Sequence, residues 1–237
     1  MDYVLQLKSR VRAILKAPWD TRRGFKVPST DSIKLTGGGV KLKATFLYAD
    51  LAQSSALVSE HDTRLAAKTI KSFLSCSTRL IRKCGGKVVS FDGDRVMGVF
   101  VGKGSSSLAA NCGLHINYTH SEVITPILTQ YSSKLLKGNF EFSHCVGVDC
   151  GEVLAVRTGI RGSNDIVWIG DSPNFAAKLS DIRNPLYKTY ISSRIFDEIA
   201  ESSKYVGEPL TLMWKEQKLK WLGTDETVYG SSWQWKP

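Results

Sequence analysis

Phe46-Leu47-Tyr48-Ala49-Asp50-Leu51 and Val88-Val89-Ser90-Phe91-Asp92-Gly93-Asp94-Arg95-Val96-Met97-Gly98-Val99-Phe100 decide how this chain is read. Each is an apolar strand that ends, or turns, on a carboxylate. Folding alone gives no reason for an Asp at the inner end of such a strand, because burying a lone carboxylate is costly. Two of them brought together repel unless a positive charge lies between them. The pattern predicts a divalent cation held by Asp50 and Asp94, and with it phosphate chemistry. Each position taken alone also has a structural reading: Asp50 as the N-cap of the helix that follows, Asp94 as a turn residue beside Asp92-Gly93.

Working outward, residues 41–51 read as a strand and 54–83 as one long helix, with Leu57, Leu65, Ile70, Phe73, Leu74, Leu80 and Ile81 near helical spacing and Gly85-Gly86 ending it. Strands 87–91 and 95–101 form a hairpin about Asp92-Gly93. A second helix spans 105–136 with a break near Pro126, and Phe140 to Val148 alternates as a strand. Gly151 followed by Val153-Leu154-Ala155-Val156 suggests another hairpin. A strand at 165–169, a helix from Asp171 to Asp181 with Pro173 in its first turn, a strand at 187–191, a helix at 192–200 and strands near 217–222 and 226–230 complete the chain. The order β-α-β-β-α-β over 41–150 predicts an α+β, ferredoxin-like fold with a C-terminal extension, its antiparallel-rich sheet flanked by helices. In that sheet the first strand neighbours the hairpin, so Asp50 and Asp94 converge. Residues 1–40, with an amphipathic helix at 3–16, breaks at Pro18 and Pro28 and a Gly37-Gly38-Gly39 loop, are expected as an N-terminal appendage to a main domain at 41–237.

Composition narrows the possibilities. The 237 residues are 42% hydrophobic, enough for a real core. No apolar run reaches the length of a membrane span, and the N-terminus lacks the basic-then-apolar order of a secretory signal, so a soluble cytoplasmic protein with no membrane partner is expected. Cys76, Cys84, Cys112, Cys145 and Cys150 are odd in number and form no CxxC pair, which argues for buried thiols over a disulfide framework or a thiolate metal site. The formal net charge of +10 suits a polyanionic small substrate. Nucleic acid is not the expected partner, because the cations are spread along the chain with no basic stripe interleaved with aromatics.

Four segments carry a family resemblance. Tyr48-Ala49-Asp50-Leu51 and Gly93-Asp94 with Val96 to Phe100 resemble the two metal motifs of class III nucleotidyl cyclases. Val146-Gly147-Val148-Asp149-Cys150-Gly151-Glu152-Val153 resembles that family's G-I-x-x-G-x-V strand, and Gly170-Asp171-Ser172-Pro173-Asn174-Phe175-Ala176-Ala177-Lys178-Leu179 its G-D-x-V-N-x-A-A-R-L helix. The resemblance implies that Asp50 and Asp94, with the backbone carbonyl of Leu51, hold two divalent ions, Mg²⁺ or Mn²⁺, on a nucleoside triphosphate. It implies that Asn174 orients the ribose and Lys178 stabilises the transition state. Lys178 stands where the family usually has Arg, so a point charge replaces a bidentate fork. In the family these two residues act on substrate held by a partner subunit, which implies a head-to-tail homodimer with composite sites.

Base choice departs from the purine cyclases. The family's two base-reading positions fall on Ser90 and Val167, and neither carries the usual purine-reading pair. Tyr48 shares a strand face with Asp50, and Arg95 follows Asp94. A phenol narrows the pocket, and a guanidinium suits the carbonyl acceptors of a pyrimidine. This resembles the pyrimidine cyclases of bacterial Pycsar antiphage systems and implies conversion of UTP to 3′,5′-cyclic UMP and pyrophosphate. The alternatives are a cytidylate cyclase, an adenylate or guanylate cyclase with an atypical pocket, and a catalytically silent nucleotide-binding module.

Overall fold

The computed structural model describes residues 2–132 and 142–237. Helix α1 (Tyr3–Lys16) buries none of its side chains. Strand β1 (Asp20–Arg23) then runs parallel to the start of β2 (Gly38–Ala52), pairing at Gly38 to Lys41. Two helices follow, α2 (Ser54–Glu60) and α3 (Thr63–Lys83), in place of the single helix expected over 54–83. The break falls at His61-Asp62, where the Asp62 carboxylate accepts from the Arg64 and Leu65 amides and so caps α3, a contact worth about 1 kcal/mol.

Strands β3 (Lys87–Asp92) and β4 (Arg95–Phe100) form the expected hairpin. Its two-residue loop is Gly93-Asp94, with Gly93 at φ +59°, a conformation that side chains resist. Helix α4 (Ser105–Thr119) continues through a π-helical turn at His120–Ile124 into α5 (Thr125–Tyr131). Pro126 sits in the first turn of α5, where its missing N–H costs little. The rest of the helix expected to 136 and the start of the strand expected from 140 lie outside the described residues.

Strand β5 (Ser143–Ile160) corrects the hairpin expected at Gly151. The strand runs straight through that glycine and turns only at Arg161-Gly162 into β6 (Ser163–Ile169). Gly151 serves close packing: a Cβ there would sit 3.2 Å from the Ser172 hydroxyl. After α6 (Asp171–Ser180) come β7 (Thr189–Ser192), α7 (Ser193–Glu198), α8 (Glu201–Lys204), the small β8–β9 pair (Tyr205–Val206, Thr211–Leu212), β10 (Lys215–Trp221) and β11 (Thr224–Ser231).

The main sheet has the order β10-β11-β7-β5-β2-β4-β3, with β1 added to β2 and β6 to β5. Within it, β5-β2-β4-β3 is the all-antiparallel ferredoxin-like core. Alternation along β2 separates two cores. Leu47, Ala49 and Leu51 face the larger apolar cluster with Phe73 and Ile81 of α3 and Leu114 of α4. Phe46 and Tyr48 face a second cluster with Met97, Val99 and Ala176, closed by Trp168 of β6 edge-on to Phe46 at 5.4 Å. Burying each such large apolar side chain contributes about 1.5–3 kcal/mol. Helix α6 lies close over this second face. A Cβ on Gly147 of β5 would fall 2.1 Å from the Ala176 carbonyl oxygen and 2.4 Å from the Ser180 nitrogen, so only glycine fits beneath it.

Candidate active site

The sheet face that carries Tyr48 also carries Asp50. Register places Asp50 directly opposite Arg95 and Tyr48 opposite Met97, while Ser90 of β3 pairs with Met97 from the other side. Asp94 is in the hairpin loop next to Arg95, and Leu51 lies one residue past the last β2–β4 pair. The structure therefore gathers Tyr48, Asp50, Leu51, Ser90, Asp94 and Arg95 at one end of three adjacent strands.

Asp50 is 4% exposed. Arg95 Nε lies 3.3 Å from its Oδ1, and Arg183 Nη2 donates to its Oδ2 at 2.6 Å. Burial pushes the Asp50 carboxyl up from its ordinary value; the hydrogen bonds from Arg183 and Arg95 pull it down, and the Asp94 charge adds to the rise. Arg95 also pairs with Asp181, just past α6, and stands 5.9 Å from the Tyr48 ring centroid, within cation–π range. Its Nε and Nη2 are engaged by the carboxylates, while Nη1 has no hydrogen-bond partner among the described residues. Burial likewise raises the Tyr48 phenol, opposed by Arg95.

Arg183 and Asp181 are functional candidates that sequence reasoning passes over. The stretch Asp181-Ile182-Arg183-Asn184-Pro185 reads as a polar loop. Only the seating of α6 against β2 and β5 brings it to Asp50, where Arg183 Nη1 is steadied by the Ser180 carbonyl at 2.7 Å.

The remaining predicted residues lie elsewhere. Asn174 and Lys178 are exposed on α6, one turn apart, and the Asn174 amide donates to the Gly170 carbonyl at 3.3 Å. Among the described residues neither is bonded to Asp50 or Asp94. Val167 is exposed on β6, opposite Val156. Among the described residues no hydrogen bond or ion pair joins the two halves of the predicted constellation.

The donor set at the strand end consists of hard oxygens from Asp50, Asp94 and the Leu51 carbonyl, and the buried Asp50 already demands positive charge. That chemistry fits Mg²⁺ or Mn²⁺. Among the described residues no group of three or more His, Cys, Asp or Glu could hold a metal. Asp50 and Asp94 alone would hold an ion only with further oxygens, which a nucleotide's phosphates could supply.

This geometry has close relatives. A uridylate cyclase of Rhodovulum sp. (strain MB263) is 40% identical over 231 residues, spanning 98% of this chain and 96% of the relative. The chain belongs to the uridylate cyclase family. Uridylate cyclases of Xanthomonas perforans and Burkholderia cepacia are 33% and 34% identical, over 94% and 97% of this chain and 94% and 96% of their own lengths. No family model matches the chain. Among solved structures, the adenylyl cyclase CyaB from P. aeruginosa superposes with a TM-score of 0.65 at 18% identity, covering 81% of this chain and 94% of its own. A bacterial light-regulated adenylyl cyclase gives 0.68 at 19% identity, covering 98% of this chain and 63% of its own. These likenesses confirm the expected α+β cyclase fold for this member of the family. No helix among the described residues is long and apolar enough to cross a membrane.

Proposed function

We propose that this protein converts UTP to 3′,5′-cyclic UMP and pyrophosphate. The observation that carries this is the cluster of Tyr48, Asp50, Ser90, Asp94 and Arg95 at one sheet end, in a chain similar over nearly its whole length to uridylate cyclases. Asp50, Asp94 and the Leu51 carbonyl would hold two divalent ions. When bound, such ions acidify the ribose 3′-hydroxyl and neutralise triphosphate charge. Tyr48 and Arg95 would select the base: the phenol narrows the space, and the free Nη1 of Arg95 offers donors to pyrimidine carbonyls. Asp181 and Asp50 fix the guanidinium plane, so little orientational freedom is lost on binding. Ser90 is short and Val167 cannot hydrogen-bond, so neither supplies the usual purine-reading contact.

Asn174 and Lys178 would serve the site of a second copy. Their exposure on α6, and the absence of bonds from either to the chain's own Asp50, support a head-to-tail homodimer with two composite sites. The resemblance to Pycsar systems supports an alarm role for the product in antiphage defence.

The test supplies ATP, GTP, CTP and UTP separately with Mn²⁺ and measures cyclic product. Cyclic UMP as the main product is expected. Product from a purine triphosphate alone overturns the assignment, and none from any substrate by a folded dimer points to a silent module, the reading that Lys178 in place of Arg favours. A mixture of Asp94→Ala and Asn174→Ala chains should regain activity that neither has alone. No rescue counts against composite sites.

A further inference from the structure

The outward face of α3 lies on the other side of the sheet from Tyr48 and Asp50 and carries none of this chemistry. The helix carries Arg64, Lys68, Lys71, Arg79, Arg82 and Lys83 and not one acid. At 100° per residue, Arg64, Lys68, Lys71, Ser75, Arg79 and Arg82 fall on a single stripe, opposite the buried Ala66, Thr69, Phe73, Ser77 and Leu80. The stripe runs about 27 Å along the helix. All five of its cations are exposed, and among the described residues none is in an ion pair. Glu60 of α2, Asp62 at the helix cap, Asp92 of β3 and Glu122 of the π-turn are the acids on neighbouring elements, and none pairs with it. Like charges at Arg64/Lys68, Lys68/Lys71 and Arg79/Arg82 each weaken the helix by roughly 0.2–0.5 kcal/mol. In linear sequence these cations look scattered; the helical period gathers them.

Two hollows flank the ridge. One, about 740 Å³, is lined by Ile70, Leu74, Thr78 and Phe91 beside Lys71, Arg79 and Arg82. Phe91 is a strand aromatic left 57% exposed. The other, about 560 Å³, is lined by Val123, Ile127, Leu128 and Tyr131 beside Lys68 and Lys71. Tyr131 is 64% exposed, with the Lys68 ammonium 4.7 Å from its ring centroid.

We propose that this face of α3 is a docking surface for single-stranded nucleic acid, its phosphates on the cationic ridge and its bases in the flanking hollows. Charge complementarity calls for a polyanion. The hollows choose among polyanions: a duplex keeps its bases stacked inside, and a flat lipid surface cannot fill two recesses on either side of a ridge. Of these three polymers and surfaces, the single strand is the one that offers a run of phosphates with free aromatic bases.

Fluorescence anisotropy of a labelled single-stranded RNA of roughly 20 nucleotides, titrated with the intact protein across a salt series, tests this. Binding that weakens with salt is expected. The triple variant K71E/R79E/R82E should lose that binding at physiological salt and, at low salt where residual binding is measurable, lower the slope of log K against log salt by about 2, while thermal melting and UTP turnover stay as in the parent. Phe91→Ala, which leaves charge untouched, should weaken binding about tenfold. A control triple on exposed α1, R10E/R12E/K16E, should leave binding in place. No binding at low salt overturns the proposal. So does binding that survives the α3 variant, equal loss in the α1 control, equal affinity for a duplex of the same length, or binding to phosphatidylserine vesicles without binding to RNA.

Discussion

Two aspartates on adjacent strands are buried almost equally, yet their surroundings differ in kind. Asp149 of β5 is fully buried and is satisfied by this chain alone: the Ser192 hydroxyl donates at 2.5 Å, and Arg194 reaches both oxygens, at 3.2 and 2.5 Å, before passing on to Asp171 at 3.0 Å. Asp50 of β2 is held, among the described residues, by Arg95 and Arg183, with no neutral donor beside them. Both carboxyls are pushed up by burial, Asp149 to about 6. Burial of a carboxylate therefore does not by itself mark a functional site. The proposed metal site requires more of Asp50, that its arginines can be exchanged for an ion.

Substitution should break the comparison most sharply. Asp50→Ala should lower cyclic UMP formation by about 100-fold or more, a loss of several kcal/mol of transition-state stabilisation, while its melting temperature stays near that of the parent. Asp149→Ala should do the reverse. Denaturant titration should show about 2 kcal/mol of lost stability, because the buried Ser192 hydroxyl and Arg194 lose an acceptor, while Arg194 keeps Asp171. A stable Asp149→Ala, or an unfolded Asp50→Ala, inverts the assignment.

Acid should act on a third buried pair. His120 and His144 lie with ring centroids 4.3 Å apart and planes tilted by 35° beside Phe73 of the larger core, and His120 Nε2 and both nitrogens of His144 lack hydrogen-bond partners among the described residues. Burial pushes His120 down to about 3 and His144 well below its ordinary value. Unfolded histidines take up protons near 6.5 and the folded ones do not, so stability is full above about 6.5 and falls as the pH drops toward 3. Asp149, raised when folded, works in the opposite direction between roughly 4 and 6 and offsets part of the loss. Unfolding free energies from urea titrations should decline between pH 7 and 5 by on the order of 1 kcal/mol per pH unit per histidine. His120→Phe should flatten that decline, and an unchanged slope would refute the cause.

The smallest effect sharpens the notion of exchange. Arg183→Gln removes one cation competing for Asp50, so half-saturation with Mn²⁺ should move about threefold lower, read by electron paramagnetic resonance without substrate. A weakened Mn²⁺ affinity would make Arg183 a supporter of the metal site and not its competitor.

The parts of this chain legible in the sequence are those whose signals are local. Alternation in Phe46 to Leu51, the Asp92-Gly93-Asp94 turn and the spacing of Asn174 and Lys178 each depend on neighbouring residues, and each appears at its expected place. The single helix over 54–83 failed because Asp62, a readable N-cap, was passed over within a long apolar period. The hairpin at Gly151 failed because glycine has two uses, turning a chain and admitting a neighbour, and here it admits Ser172. Strand β1 is four polar, exposed residues with no alternation to read. Arg183 and Asp181 carry no local signal at all; their role arises where a loop after α6 meets a strand more than a hundred residues earlier.

Gly147 beneath α6 has a consequence of scale. The helix presents Asn174 and Lys178 outward and hands Arg183 inward to Asp50 from its far end, and its backbone rests on the strand where a methyl group would not fit. That close approach therefore sets two reaches at once: how far the helix stands out from the sheet and how closely the loop after it grips the Asp50 strand. Neither reach can be lengthened at that point without altering the other.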